Sequence, residues 1–530
     1  MKKFNFINIL ITIIIALILY YFMLPPINIT SPMFYLYTFI VFGIFIVLSS
    51  ISSIEYIIKG RKVKDFSFYL IFLIPIGIIG IILINFFLSP LFFSKSYANR
   101  IYINEDSDFS KDIAEVDFNQ LPLLDKDSSR KLGDRVMGQM PELVSQFTVS
   151  NLYTQINFND EIMRVTPLEY NSWIKYLSNR KDGVKGYITV NSVSGEANLV
   201  KLEKGMKYMP SSLFFENLDR HIRIKYPAEI FEEKYFEIDN EGNPYWIIPT
   251  ITYKGIGIRK TITGIITVNP INGKTKKYNL NEIPTWIDHV YSAELIIEQV
   301  DDWGQYKNGY LNSIFGQKNV VQTTTGYNYL VMNDDVYMYT GITSVVNDES
   351  NIGFILTNLR TKETKFYSIP GAEEYSAMAS AEGQVQNMKY TSTFPLLINL
   401  NNRPTYLVSL KDNAGLVKMY GLIDVKDYQK VVVSDASKGI ENAVNNYINN
   451  TELEVDEESL KTEEIVIKKI NTGVLEGNTI YYLKDTNNKK YSISLKDGKN
   501  ILPFLEVNQK VTITYDKNSS KEVIEIISIK

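Results

Sequence analysis

Three long apolar runs crowd the first 93 residues, and they limit what this chain can become more than anything else in it. Phe6–Leu24 is almost free of charge and would extend about 28 Å as a helix, enough to cross a hydrocarbon core. A second run covers about Met33–Ile58 and a third about Phe66–Phe93. In hydrocarbon every backbone N–H and C=O must be paired within the segment, so the expected structure is a three-helix transmembrane anchor over residues 1–93. Lys2 before an apolar stretch also reads as a signal peptide. No small-residue cleavage site precedes Pro25, however, and two more spans follow, so the first helix is expected to stay.

The basic residues orient this anchor. Lys2 and Lys3 precede the first run, and Lys59, Arg61, Lys62 and Lys64 fill the loop between the second and third. The loop Pro25–Pro32 carries no charge. By the positive-inside rule the N-terminus and the second loop are cytoplasmic, and everything after about Ser94 is extracytoplasmic. Pro75, Gly77 and Gly80 in the third run predict a kink or a close helix contact, an ordinary packed anchor being preferred to a conduit. No ionisable residue sits mid-membrane, and Glu55 is placed to pair with Lys59 at the inner interface. An oligomer formed through these helices stays open.

Composition narrows the chemistry. The chain has 530 residues, no cysteine and two histidines, His221 and His289, so disulfides, thiolate catalysis and Cys-ligated metals are excluded. Fifty-five basic against 59 acidic residues give a net charge of −4, which argues against a polyanion-binding protein. With 36 Tyr and 27 Phe it has ample material for folded cores.

Residues 94–147 read as a polar juxtamembrane connector. Beyond them an internal repeat appears: GYITVNSVSGEANLVKL at Gly186–Leu202 aligns with GIITVNPINGKTKKYNL at Gly264–Leu280. Gly186/Gly264, Ile188/Ile266, Thr189/Thr267, Val190/Val268, Asn191/Asn269, Gly195/Gly273 and Leu202/Leu280 coincide. Each is a β-hairpin pattern with Gly at the position needing positive φ. Weaker echoes occur at Gly353–Ile369 and Gly421–Val433. Ser211–Tyr226 suits an amphipathic helix and Phe236–Tyr253 a strand, turn and strand. The expected class is therefore α+β: transmembrane helices, then repeated helix-plus-antiparallel-sheet modules, then a small C-terminal β-barrel.

Helix, strands and a G-x-I-x-V-x-x-x-x-G hairpin, in that order, resemble PepSY-like and cystatin-like modules, in two copies over about 148–283. The resemblance implies extracytoplasmic modules that bind or restrain partners, and it brings no catalytic residues. Residues 284–434 read as a mixed α+β region with further hairpins, including a helix over Pro284–Trp303 with Trp286, Val290, Ala293, Ile297 and Val300 as its apolar stripe. Residues 435–464 read as a helix and an acidic linker. Residues 465–530 hold five short strands and resemble an OB-fold in strand count and spacing. Tyr481, Tyr482, Tyr491 and Tyr515 lie among lysines there, but nucleic acid is not an expected partner outside the membrane.

No motif completes a catalytic constellation, and neither a catalytic residue nor a cofactor is assigned. Glu294, Glu298, Asp301 and Asp302 would share one face of the 284–303 helix and are weak metal candidates, a solvated face being the plainer reading. Glu105, Asp106, Asp108 and Asp112 lack the glycine and terminal glutamate of a calcium loop. Asp288–His289 is the most enzyme-like pair, but helical neighbours do not face each other, so a structural histidine is expected, as for His221. Ser376 and Ser380, near Glu373, Glu374 and Glu382, read as close packing. Tyr327, Tyr329, Tyr337 and Tyr339 alternate, either as sheet core or as a stacking surface for glycan or peptide.

These features predict a membrane-anchored binding or scaffolding protein of the cell envelope that holds partner proteins or wall polymer. The alternatives are a carboxylate-dependent wall hydrolase or a regulator restraining a membrane peptidase or transporter. An Ile-, Lys-, Asn- and Tyr-rich chain without cysteine fits a low-GC Gram-positive bacterium.

Overall fold

The computed structural model describes residues 2–58, 72–345, 347–451, 460–475, 478–495, 498–516 and 523–530. It divides into two compact units, Met1–Leu400 with Pro404–Val444, and Asn401–Arg403 with Asn445–Lys530.

The first unit begins with α1 (Lys2–Met23) and α2 (Pro32–Ile58), both long and apolar enough to cross a membrane. They are tied side by side by the Tyr37 hydroxyl, which donates to the Ala16 carbonyl at 2.9 Å. The third apolar run is a bent pair rather than one straight helix. α3 (Leu73–Phe87) has 15 residues, about 22 Å, and α4 (Pro90–Ala98) leaves it at 56°. Proline at the first position of α4 forces Ser89 into an extended conformation, which is where the run breaks. Pro75 lies in the first turn of α3, where no helical N–H is missed, and so it does not make the kink. Gly77 does make a close contact, since a Cβ there would stand 3.0 Å from the Phe39 ring of α2. The basic loop Lys59–Lys64 lies outside the described residues.

The uncharged α1–α2 loop is fastened to the folded body. Ile27 N–H donates to the Pro227 carbonyl (2.7 Å), and Asn28 Nδ2 donates to that of Ala228 (3.0 Å). Arg223 Nε donates to the Leu24 carbonyl (3.0 Å) and the Arg220 guanidinium lies 4.0 Å over the Tyr21 ring. At Gly257 only glycine fits: its φ is +72° and a Cβ would fall 2.2 Å from Pro32 Cγ. Its N–H donates to the Thr30 carbonyl (3.1 Å), while Asn85 of α3 exchanges two hydrogen bonds with the backbone of Ile256.

After β1 (Ile103–Asn104) and α5 (Lys126–Gly138), the body is four sheets in succession, antiparallel but for one pairing of β1. The first holds β2 (Phe147–Val149), β3 (Thr154–Phe158), β4 (Glu161–Tyr170), β5 (Val184–Asn191) and β6 (Ala197–Met206). α6 (Leu218–Lys225) precedes the second, which holds β7 (Ile230–Phe231), β8 (Tyr235–Ile238), β9 (Pro244–Lys254), β10 (Arg259–Val268) and β11 (Thr275–Asn279). α7 (Ala293–Tyr306) precedes the third: β12 (Val321–Thr323), β13 (Asn328–Met332), β14 (Asp335–Ser344), β15 (Asn347–Asn358), β16 (Thr364–Tyr367) and β17 (Gly371–Ala372). β1 joins this sheet by pairing in parallel with β16. α8 (Glu374–Gln384) precedes the fourth: β18 (Thr391–Ser392), β19 (Leu396–Leu400), β20 (Arg403–Lys411), β21 (Val417–Asp424) and β22 (Val431–Asp435).

One turn chemistry recurs in all four sheets, at the four places where the hairpin pattern repeats. Asn191 Oδ1 accepts the N–H groups of Val193 and Ser194, and Asn269 Oδ1 those of Ile271 and Asn272. Asn358 and Asp424 cap their turns in the same way, over Arg360–Thr361 and Lys426–Asp427. The residue after each of the first three turns has positive φ: Gly195 (+77°), Gly273 (+70°) and Lys362 (+64°). The preceding hairpins turn on Asn159-Asp160, Asn333-Asp334 and Asn401-Asn402, all with positive φ, as two-residue turns of the matching twist require. β3, β8, β13 and β19, one strand from each of the four sheets, border one cavity.

The helix expected over 284–303 starts only at Ala293, where the Ser292 side chain caps it by accepting Leu295 N–H. Trp286 stacks instead on Tyr245, at 5.0 Å between centroids. The N–H groups of Val290 and Tyr291 both donate to the Leu359 carbonyl.

α9 (Ile440–Thr451) is followed in the second unit by a closed barrel of β23 (Leu460–Leu475), β24 (Asn478–Asp485), β25 (Lys490–Ser494), β26 (Lys510–Asp516) and β27 (Val523–Ile529). Its strands run in the order first, second, third, fifth, fourth, with third and fifth parallel. Ile467, Tyr491, Ile493 and Ile513 form its core.

Candidate functional site

The cavity bordered by the four sheets has a volume of about 450 Å³. The strand period of two decides which residues of β3 and β4 face it. Gln155 and Arg164 are directly opposite each other across that hairpin, and both line the wall.

Arg164 is 6% exposed, its Nε has no hydrogen-bond partner, and no carboxylate pairs with it among the described residues. Burial pushes its guanidinium down to about 10, against weaker support from Tyr329 and Asp125. Asp125 is itself committed elsewhere: its Oδ2 holds Lys411 Nζ at 2.5 Å and its Oδ1 caps α5 through Ser128 N–H. Gln155 is 2% exposed, and neither its Oε1 nor its Nε2 has a partner. Most buried polar groups in folded proteins are paired, so two such side chains side by side in a cavity wall are a strong local signal.

His289 lines the same cavity. The loop before α7 carries it against β8, where Glu237 is fully buried. Glu237 Oε2 accepts Asp288 N–H (3.0 Å), and its Oε1 accepts His289 N–H (3.0 Å) and lies 3.2 Å from His289 Nδ1. Such a carboxylate fixes the ring and favours a proton on Nδ1, leaving Nε2 as the free acceptor. The ring packs on Tyr235 (5.0 Å, 32°) and edge-on to Tyr329 (6.0 Å, 79°). Asp288 points away, its Oδ2 accepting Asn157 N–H at 2.8 Å. Burial, and then the Glu237 charge, raise its carboxyl well above the usual range.

Glu294 joins the same cavity and accepts the Tyr327 hydroxyl at 2.8 Å. Burial and that carboxylate push Tyr327 up to about 12, so it is a hydrogen-bonding phenol and not a ready nucleophile. Tyr327 and Tyr329 thus form an aromatic wall, whereas Tyr339 is wholly buried in the sheet core.

The structure separates the four acids of the proposed face. Only Glu294 reaches the cavity. Asp302 holds Arg100 Nη1 (2.5 Å) and Arg259 Nε (3.0 Å), and Glu298 holds Arg100 Nη2 (2.7 Å). Asp301 accepts the N–H and hydroxyl of Thr323 (2.8 and 3.0 Å). In the connector, Asp108 caps a helical turn at Ser110 and pairs with Lys111, while Asp112 lies 3.4 Å from Lys365. Among the described residues no group of three or more His, Asp or Glu side chains is arranged to hold a metal ion. His221 Nε2 meets the Gly273 carbonyl at 2.8 Å and ties α6 to the second hairpin. Ala377 and Ala381, in the helix that carries Ser376 and Ser380, are buried, and a Cβ on Gly421 would stand 3.3 Å from Ala381.

No family model matches the sequence, and no curated protein matches it either. Solved structures align only distantly. A cobalt-substituted Synechocystis ACO aligns at 9% identity over 55% of this chain and 47% of its own, with a TM-score of 0.13, so this chain spans about half that protein's length. An exo-β-1,3-galactanase from Phanerochaete chrysosporium aligns at 8% identity over 72% and 66%, TM-score 0.17. A sucrose-6-phosphate hydrolase from Lactobacillus gasseri aligns at 9% over 78% and 93%, TM-score 0.17. Likenesses at this level carry no argument about function.

Proposed function

We propose that this chain is a membrane-anchored, extracytoplasmic binding protein of the cell envelope, which holds wall polymer or an envelope partner at the cavity ringed by its four sheets. The observation that carries this reading is the pair Arg164 and Gln155, buried in the cavity wall without partners. Orientation is supported by the fastening of the α1–α2 loop to the body, since the charge rule assigns that uncharged loop to the outer side. The bent pair α3–α4 serves as the third crossing in this reading. The strand order of the barrel supports an OB-like module for protein contact.

A second reading, a carboxylate-dependent wall hydrolase, draws on one observation: the Glu237-oriented His289 and Glu294 line the same cavity.

The chain's lack of cysteine makes the test direct. Tyr102→Cys, at an exposed site, is expected to react with a membrane-impermeant maleimide in intact cells, and Lys3→Cys only after permeabilisation. The full-length protein in detergent is expected to co-sediment with purified wall sacculi, and Tyr329→Ala to weaken this. Labelling in the opposite pattern, or sacculi that retain none of the protein, would overturn the proposal. Sacculi that are cleaved rather than held would favour the hydrolase.

A further inference from the structure

We infer that the Arg164–Gln155 corner recognises one carboxylate on a carbohydrate, so that the ligand is an acidic sugar unit lying against Tyr327 and Tyr329. This rests on the binding-cavity reading above and names its ligand class.

The charges of the wall favour a monoanion. Arg164 is a buried positive charge with no carboxylate partner among the described residues, whereas Asp125 is paired with Lys411 and Lys234 with Asp219. Lys126, Glu233 and Glu294 also line the cavity, so three basic residues face three acidic ones and no surplus positive charge is left for a dianion. A carboxylate would neutralise Arg164, whereas a phosphate dianion would leave surplus negative charge in a desolvated site, which is costly. Geometry points the same way. The guanidinium is planar and presents paired N–H donors that match the two oxygens of a carboxylate, and the unpartnered Gln155 carboxamide opposite it adds a further N–H.

The remainder of the wall suits a sugar. The faces of Tyr327, Tyr329 and Tyr235 offer apolar area to a pyranose ring, while the tyrosine hydroxyls and His289 Nε2 offer partners to its hydroxyls. A volume of about 450 Å³ lies within the ~300–1,000 Å³ of ordinary small-molecule sites.

Two substitutions separate recognition from structure. Arg164→Met keeps the bulk of the side chain and removes the charge. Gln155→Glu places a carboxylate opposite Arg164 and supplies internally what the ligand would bring. Calorimetric titration of the full-length protein in detergent would use D-glucuronate, D-galacturonate and N-acetylmuramate, with D-glucose and inorganic phosphate as controls. At least one acidic sugar should bind about tenfold or more tighter than glucose and phosphate, because losing it strands buried polar groups. Both variants should abolish that preference without lowering the thermal unfolding temperature. Equal binding of glucose and the acidic sugars would overturn the carboxylate assignment and leave the binding cavity standing. Preferred binding of phosphate would overturn it in favour of another anion. No binding of any probe, with Arg164→Met melting at lower temperature, would make Arg164 structural and overturn the inference.

Discussion

Arg100, whose side chain is 6% exposed, and Arg164, 6% exposed as a whole residue, both hold their charged side chains away from solvent, yet they are treated in opposite ways. Arg100, at the seam between α4, α7 and the second sheet, commits both Nη groups, to Glu298, to Asp302 and to the Lys260 carbonyl. Arg164, in the cavity wall, has no such partner among the described residues. Arg100 also leaves its Nε without a partner, but its charge is matched by two carboxylates. A buried charge with counter-charges holds elements together, and one without them costs stability unless something outside the chain engages it. Burial alone therefore does not mark a candidate site; a buried charge without a counter-charge does.

The comparison breaks most visibly if the engaged arginine is removed. Arg100→Met leaves Glu298 unpaired except for a long 3.9 Å contact to Arg259, and leaves the buried Asp302 to Arg259 alone. Denaturant unfolding should show a loss of about 3–5 kcal/mol. Arg164→Met should move the other way or not at all, with a gain of up to about 1–2 kcal/mol in the same assay. A comparable loss at both positions would erase the distinction.

The barrel offers a smaller, pH-dependent control. Burial would raise the carboxyl of Glu463, but hydrogen bonds from Lys461 and Tyr515 and the charge of Lys489 outweigh it and pull it down to about 2. A carboxyl lower in the folded than in the unfolded state stabilises above its unfolded value near 4.5 and loses that contribution as pH falls toward 2. Thermal unfolding of the barrel followed between pH 5 and about 2 should show this loss, and Glu463→Gln should flatten it. If Glu463→Gln leaves the acid limb unchanged, Glu463 is not an engaged charge.

Much of the fold was legible because its signals are local. The shared V-N-x-x-x-G of Val190–Gly195 and Val268–Gly273 encodes side-chain capping of a turn, which needs no distant partner. The weaker echoes at Asn358 and Asp424 keep the capping residue and lose the glycine, so they read more faintly while folding alike. The cavity was not legible, since Gln155, Tyr235, Tyr329 and Leu396 come from four separate sheets. Helical periodicity misled at Trp286 and Val290, because a buried loop running into a helix can imitate one long apolar stripe. That error also hid the Glu237–His289 contact: a true helix would have turned His289 away from a residue 52 positions earlier. A cue lay in Ser292, a preferred N-cap residue in the middle of the supposed helix.

The ribbon of β9 and β10 reaches from its tip, clamped at Gly257 by Thr30 and at Ile256 by Asn85, to a root anchored by the wholly buried Trp246. Eleven residues of β9 make it a stiff rod about 35 Å long. A rod gripped at both ends does not slip, so tilting of the apolar helices would be delivered as torque at the far end. There Tyr245 of the ribbon pairs directly with Glu237, the residue that steers the imidazole, so one continuous ribbon links the apolar helices to the wall of the cavity.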